Sequence, residues 1–180
     1  MTPNLFNSYR YAGGAEVCQD LSDGTTYMEL WNGSSGNKSG AGVYITNTGE
    51  GANFIGLNVD TVKVWLKKSA GAPDNSFSVG IYRTSAPDTE IYNFHNGSLD
   101  DITESMVQYE FTSTSGSKHT IATGDVIAVI YEYNGSRLYS NIESSTISGL
   151  AYKLYNEWDQ YSSWNIWSGG SGAGITFCVS

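Results

Sequence analysis

The fold is decided by residues 61–82, which read TVKVWLKKSAGAPDNSFSVGIY. Apolar side chains occupy every second position in two runs of this segment: Val62, Val64 and Leu66, then Phe77, Val79 and Ile81. That period is typical of a strand with one buried face. Residues 69–75, between the two runs, are mostly turn formers. The segment therefore predicts a β-hairpin with a long loop, whose apolar rows lie in the core while Lys63 and Lys67 lie in solvent.

The rest of the chain repeats this pattern in shorter runs. Clusters of Gly, Asn, Asp and Ser separate further predicted strands at 15–18, 25–31, 43–46, 106–112, 126–131, 137–142, 149–155 and 174–179. The run 126–131 is apolar on both faces, which predicts a central strand. We expect polar turns at 47–53, a long loop at 83–101, and one short helix at 99–105, capped by Asp100 or Asp101.

Close turns between about ten short strands indicate an all-β fold, a single antiparallel β-sandwich of jelly-roll type. The 180 residues and the hydrophobic content of 39% are enough for one full core. The chain contains 21 glycines and 13 tyrosines, which fits many strands joined by tight turns. We therefore expect one domain over residues 1–180, with residues 1–14 as an irregular N-terminal arm.

Charge and hydropathy exclude several classes of partner. The net charge is −9, which disfavours nucleic acid and anionic membrane surfaces, because both are bound through basic residues. No stretch of 18 apolar residues is present, so membrane insertion is not expected. Residues 1–17 show no basic region followed by an apolar one, so no signal peptide is visible. The protein is then intracellular, or reaches its place without a signal as virion proteins do, or has lost its signal.

The two cysteines, Cys18 and Cys178, lie near opposite ends of the chain. The first and last strands of a jelly-roll sandwich often pair, which would bring the two thiols together. A disulfide between them is the prediction, and two separate buried thiols are the alternative. Neither cysteine belongs to a CxxC motif or lies near a histidine, so no metal site is predicted there.

A longer series of motifs begins at about residue 61. It comprises VKVWLKK, the turn Gly71-Ala72-Pro73, SVGIYRTS, GSLDDITES, QYEFTST, IATGDVIAVIYEYNG, and a Trp-containing loop before a terminal strand. This series resembles a family of jelly-roll domains found in surface proteins of archaea and bacteria and in phage structural proteins. The family is similar in architecture to carbohydrate-binding modules. The resemblance covers about two thirds of the chain, and it implies a non-catalytic part of a larger assembly.

The densest candidate for a binding site is residues 152–167, YKLYNEWDQYSSWNIW. It contains three tryptophans and three tyrosines, with polar side chains that can bond hydroxyl groups beside them. Three interpretations stay open: a glycan site, a contact with another subunit, in which Trp and Tyr are favoured, or the protein's own core. The predicted contact residues are Tyr155, Asn156, Trp158, Asp159, Tyr161, Trp164 and Trp167.

Catalytic chemistry has little support in the sequence. His95 and His119 are far apart and have no serine elbow or cysteine beside them. Glu110 and Glu132 lie on predicted strands that could be neighbours, and paired carboxylates are the catalytic groups of glycosidases. We expect each of these carboxylates to face water instead. The protein is therefore predicted not to be an enzyme.

Acidic loops and sequons add two weaker indications. Residues 20–23 and 100–101 offer oxygen ligands of the kind calcium prefers, although no EF-hand spacing is present. Asn-x-Ser/Thr sequons occur at Asn32, Asn37, Asn96 and Asn134. Three of the four read Asn-Gly-Ser, which hairpin turns favour on their own account. No cofactor is predicted beyond a structural calcium ion.

The sequence thus favours a non-enzymatic structural component of a virion-surface or extracellular assembly, such as a decoration, spike, fibre or capsid-associated protein. Its partners would be copies of itself or other subunits of the assembly. The alternative is a carbohydrate-binding module that recognises surface glycans through residues 152–167.

Overall fold

The computed structural model describes residues 16–19, 26–30, 38–70, 76–83, 86–132, 135, 137–143, 147–156, 165–166 and 174–180. For 26, 28, 86–89, 143, 152–156 and 165–166 it describes the backbone alone. The predicted arm 1–14, the acidic loop 20–23 and the sequons at Asn32, Asn37 and Asn134 lie outside these residues.

Strands make up most of the described chain. They are β1 (Val17–Cys18), β2 (Thr26–Glu29), β3 (Lys38–Ile45), β4 (Asn58–Val59), β5 (Thr61–Lys68), β6 (Ser76–Arg83), β7 (Ala86–Ser98), β8 (Val107–Thr112), β9 (His119–Thr120), β10 (Asp125–Glu132), β11 (Leu138–Glu143), β12 (Leu150–Asn156), β13 (Asn165–Ile166), β14 (Gly174–Ile175) and β15 (Phe177–Val179). Two 3-10 helices, Gly49–Asn53 and Leu99–Asp101, lie between them. Among the described residues, no helix is long and apolar enough to cross a membrane.

The strands form two large antiparallel sheets and one small one. The seven-stranded sheet has the order β1-β15-β5-β11-β14, with β2 paired to β11 and β8 paired to β5. The six-stranded sheet has the order β13-β12-β3-β10-β6-β7, and β4 pairs with β9. A single large cluster of buried side chains draws on both sheets, which gives the layered core of a sandwich. The all-β class and the β-sandwich architecture are therefore confirmed.

The two apolar rows of residues 61–82 lie in this core as predicted. Their exposed fractions are 0% for Val62, Val64, Leu66, Val79 and Ile81 and 2% for Phe77. The predicted hairpin is wrong, however, because β5 belongs to the seven-stranded sheet and β6 to the six-stranded one. The segment crosses from one sheet to the other, so its two apolar rows share the core from opposite sides. Alternation reports only that one face is buried, and both arrangements satisfy it.

The hairpin partner of β6 is β7, in a region where a loop was predicted. β7 runs over thirteen residues at one end of the six-stranded sheet. Its pairing with β6 shifts register at three places, between Val79 and Gly80, between Ile81 and Tyr82, and between Tyr82 and Arg83. Each shift interrupts the two-residue period that identifies a strand in a sequence. Pro87 is compatible with this strand because an edge position needs fewer N–H donors.

Strand β3 begins five residues earlier than its predicted start at residue 43. The strand contains Gly40 and Gly42, and glycine has low strand propensity. A β-carbon on Gly40 would lie 2.7 Å from the Val129 carbonyl oxygen, and one on Gly42 would lie 2.7 Å from a methyl carbon of Val126. The close packing of β3 against β10 therefore requires glycine at both positions.

The predicted helix at 99–105 is reduced to the 3-10 helix Leu99–Asp101. Its cap is neither Asp100 nor Asp101, because the Asp100 N–H donates to Ser98 Oγ at 3.1 Å. Ser98 lies two residues before Asp100, and its side chain satisfies an N–H group that is unpaired at the start of the helix. The second 3-10 helix, Gly49–Asn53, lies in the region where only turns were predicted.

Cys18 and Cys178 face each other on β1 and β15, in one antiparallel register. Their sulfur atoms lie at disulfide distance, and their Cα atoms are 4.0 Å apart. This separation is slightly below the usual range of about 4.4–6.8 Å. The link joins the first described strand to the last over a sequence separation of 160 residues.

Replacing Val64 by Ala should lower the free energy of unfolding by about 2–3 kcal/mol, because it leaves a cavity where both sheets meet. Val107→Ala is the matched control, since Val107 lies on the adjacent strand β8 and is 38% exposed. It should cost less than about 1 kcal/mol. Urea unfolding of the two variants measures the difference, and equal losses would contradict the assigned core.

Removing the Cys18–Cys178 link should destabilise the fold, because it closes a loop of almost the whole chain. The entropy model gives about 5 kcal/mol for a loop of this length. The Cys18→Ser/Cys178→Ser double variant should therefore unfold at a clearly lower urea concentration. Oxidised wild-type protein should not react with iodoacetamide until it is both unfolded and reduced. Prompt labelling of both thiols in the native state would contradict the bond.

Candidate functional site

The predicted aromatic segment 152–167 is described only at its two ends. Tyr155 and Asn156 lie at the end of β12, where their Cα partners on β3 are Gly40 and Ser39. β13 pairs antiparallel with β12 and ends the six-stranded sheet on that side. The remaining predicted contact residues, Trp158, Asp159, Tyr161, Trp164 and Trp167, lie outside the described residues. Their contact role stays a prediction.

His95 lies between aromatic rings that come from both sheets. Its ring stacks on Phe111 at a centroid distance of 4.4 Å and lies 5.2 Å from Phe77. A β-carbon at Gly97 would collide with the imidazole, so glycine leaves room for it. Burial lowers the pKa of His95, although Asp101 opposes the shift. The imidazole therefore packs as a neutral ring at the margin of the core.

His119 is held by a buried carboxylate. Its Nε2 lies 2.8 Å from Asp125 Oδ2, and the same oxygen accepts the Ala122 N–H at 2.9 Å. Asp125 is fully buried, and the Arg83 guanidinium lies 3.7 Å from its other oxygen. These bonds fix the turn that leads into β10, so the pair has a structural use.

Glu110 and Glu132 do not form a pair of carboxylates on one sheet. Glu110 lies on β8 of the seven-stranded sheet, and Glu132 lies at the end of β10 in the six-stranded sheet. Both are exposed, as predicted. Glu110 and Glu16 both pair with the Lys63 ammonium, and these hydrogen bonds, led by the one to Glu16, raise the pKa of Lys63. Lys63 is therefore partly covered rather than free in solvent.

A group of aromatic side chains lies on the outer surface of the seven-stranded sheet. We call Tyr27, Trp65 and Tyr139 the outer aromatic face. They come from β2, β5 and β11, which are neighbours in the sheet. Val64 and Leu66, on either side of Trp65, are fully buried. Since alternate residues of a strand point to opposite faces, Trp65 lies on the face away from the core.

Two rings of the outer aromatic face, those of Tyr27 and Tyr139, are in direct contact. Tyr27 meets Tyr139 edge to face at a centroid distance of 5.9 Å. The Lys67 ammonium lies 3.8 Å from the Tyr27 ring centroid and 5.1 Å from that of Tyr139. Lys67 therefore rests on aromatic rings rather than in open solvent, as a cation–π contact. Tyr27 nevertheless remains 56% exposed.

Polar side chains surround these rings. Arg137 Nε lies 3.1 Å from a Glu29 carboxylate oxygen at one side. Asn141 is the Cα partner of Tyr27, and Gln108 is the partner of Trp65. The result is an aromatic patch with an ion pair and amide groups at its margin, the composition of a protein contact surface.

Sequence reasoning missed the outer aromatic face, although one signal was present. Trp65 stands between Lys63 and Lys67 at the solvent-facing positions of an alternating strand. A large aromatic residue at such a position is unusual unless something covers it. Tyr27 and Tyr139 carry no comparable signal, because only the pairing of β2 and β11 brings them together.

Comparison with known proteins gives no relative for this chain: no protein-family model, curated protein or solved structure matches it. The resemblance to jelly-roll surface domains is supported at the level of a β-sandwich.

The burial of His95 predicts a pH dependence of stability. Its pKa is lowered in the folded protein from 6.5, so the unfolded chain binds the proton first as the pH falls. This contribution to stability is therefore complete above about pH 6.5 and decreases as the pH falls through the folded pKa. The urea midpoint should drop more between pH 7.5 and pH 5 in the wild type than in His95→Phe. His95→Leu provides a second comparison without a charge, and equal slopes in all three proteins would contradict the assignment.

Proposed function

We propose that this protein is a non-enzymatic structural component of a virion-surface or extracellular assembly, and that it works through contacts between subunits. The single observation that carries the proposal is the outer aromatic face. The jelly-roll connectivity and the relation to surface-protein and phage domains form part of the same proposal. The disulfide-distance cysteine pair supports an oxidising location, since such bonds persist outside the cytosol.

The outer aromatic face has the properties of a contact site. Trp and Tyr are enriched among the residues that dominate binding energies, and they cluster near the centre of an interface. Tyr27 and Trp65 are large aromatic side chains on the outer surface of a sheet. An exposed apolar patch on such a surface marks an interaction site. Lys67 is already partly desolvated by the two tyrosine rings. A partner would therefore cover this patch without displacing much water from the ammonium group.

The first partner to test is a second copy of the chain. The net charge of −9 opposes self-association, but the patch itself carries Lys67 and the Glu29–Arg137 pair, with charges of both signs. Complementary local charges can orient two copies even when the whole molecule is acidic. We expect association that becomes stronger as salt screens the overall repulsion.

Sedimentation velocity over a range of protein concentrations tests this proposal. The wild type should self-associate, and Tyr27→Ala or Trp65→Ala should weaken the association by about 2 kcal/mol, the effect of an interface hot spot. Ile91→Ala is the matched control, because Ile91 is 36% exposed on the other sheet. It should leave association unchanged. A wild type that stays monomeric at all concentrations, or three variants that behave alike, would contradict the proposal.

The alternative function is glycan recognition through the aromatic segment 152–167. The observation that favours it is the position of Tyr155 and Asn156 at the end of β12, next to the last strand pair of the six-stranded sheet. Aromatic rings beside amide groups suit a sugar ring and its hydroxyls. The described ends of this segment, β12 and β13, belong to the six-stranded sheet, so substitutions in the segment should not affect association through the outer aromatic face.

A further inference from the structure

We infer that a groove in the six-stranded sheet is a binding site for an uncharged saccharide. The groove lies where β6 and β3 begin and β10 and β7 end, and its volume is about 330 Å³. That is near the lower limit for small-molecule sites, roughly 300–1,000 Å³, so it suits one or two sugar rings. Its polar lining includes Lys38, Ser76, Ser78, Glu90, Asn96 and Glu132.

The Glu90 carboxylate is the most strongly oriented group in this groove. The Tyr82 hydroxyl donates to Oε1 at 3.0 Å, and the Asn93 amide donates to Oε2 at 2.8 Å. Tyr82 is 3% exposed, and its hydroxyl oxygen also lies 2.9 Å from Ser78 Oγ. Both carboxylate oxygens are therefore fixed, and each keeps a lone pair for a further donor.

Gly80 makes this arrangement possible. A β-carbon at that position would collide with a Glu90 carboxylate oxygen. Glycine in the middle of a strand weakens it, and a half-buried carboxylate loses part of its hydration. Burial accordingly raises the pKa of Glu90. Both costs are explained if the carboxylate is held in place for a ligand.

The chemistry of the lining selects the class of ligand. Two carboxylates, those of Glu90 and Glu132, and one ammonium group, that of Lys38, give a groove that disfavours phosphates, sulfates and acidic sugars. A calcium ion also fits poorly, because the donors of Tyr82 and Asn93 point at the oxygens that would coordinate it. Two neighbouring hydroxyl groups can instead donate to the two Glu90 oxygens.

The remaining lining supports the same class. Asn96 is exposed and offers both a donor and an acceptor. Ile130 adds apolar surface on the outer side of β10, on which the C–H groups of a sugar ring can pack. Apolar surface with a few fixed polar groups is the general composition of a small-ligand site.

Binding to an array of uncharged mono-, di- and trisaccharides tests the inference, followed by calorimetric titration of the strongest ligand found. The wild type should bind, and Glu90→Gln should weaken binding at least tenfold, because the amide presents an N–H where the sugar hydroxyl needs an acceptor. Asn96→Ala is a second groove variant at an exposed position, and it should weaken the same ligand several-fold. Circular dichroism of each variant checks that it is folded.

Glu110→Gln is the matched control, since it removes an exposed carboxylate from the opposite sheet, and it should bind like the wild type. The inference is overturned if no uncharged sugar binds, if both groove variants bind like the wild type, or if calcium chloride binds at Glu90 in place of sugar. It is also overturned if Trp158→Ala abolishes binding that Glu90→Gln preserves, which would support segment 152–167. Glu90→Gln should self-associate like the wild type in sedimentation velocity. A failure of the saccharide inference can therefore be distinguished from a failure of the assembly proposal.

Discussion

The structure depends on the packing of the two sheets against each other through the apolar rows of β5 and β6. These rows enter the core from opposite sheets, because β5 belongs to the seven-stranded sheet and β6 to the six-stranded one. Phe77 of β6 reaches Phe111 of β8 at a centroid distance of 5.9 Å, which is a direct contact between the layers. His95 completes this group of rings at one margin. Closing the sandwich removes all these side chains from water at once, and this is the main source of its stability.

A core packed in this way leaves the two outer surfaces available for different uses. The seven-stranded sheet exposes the outer aromatic face, which includes Tyr27 at 56% exposure. The six-stranded sheet is more closely covered, since Val126 and Ala128 are fully buried on the side of β10 that faces away from the main core. Its polar network around Glu90 lies beside a groove. An assembly contact on one sheet and a ligand on the other would therefore not compete.

Glycine has two distinct uses in the six-stranded sheet. Gly40 and Gly42 allow β3 to approach β10 closely, which gives tight packing at the cost of strand propensity. Gly80 and Gly97 instead make room for the side chains of Glu90 and His95. In each case a residue that weakens a strand locally is tolerated because the tertiary environment needs the space.

The sequence by itself determined the class of fold, the buried rows of β5 and β6 and the central strand β10. These follow from alternation and apolar runs, which record how each strand divides its faces between core and solvent. Only the tertiary structure decided which strands pair, that residues 61–82 cross between sheets, and that β7 is a strand despite its register shifts. It also brought Tyr27 and Tyr139 together, set the strand of Trp65 beside that of Tyr139, and placed Glu90 over Gly80. The physical reason is that pairing and register depend on contacts between residues distant in sequence, which no local pattern contains.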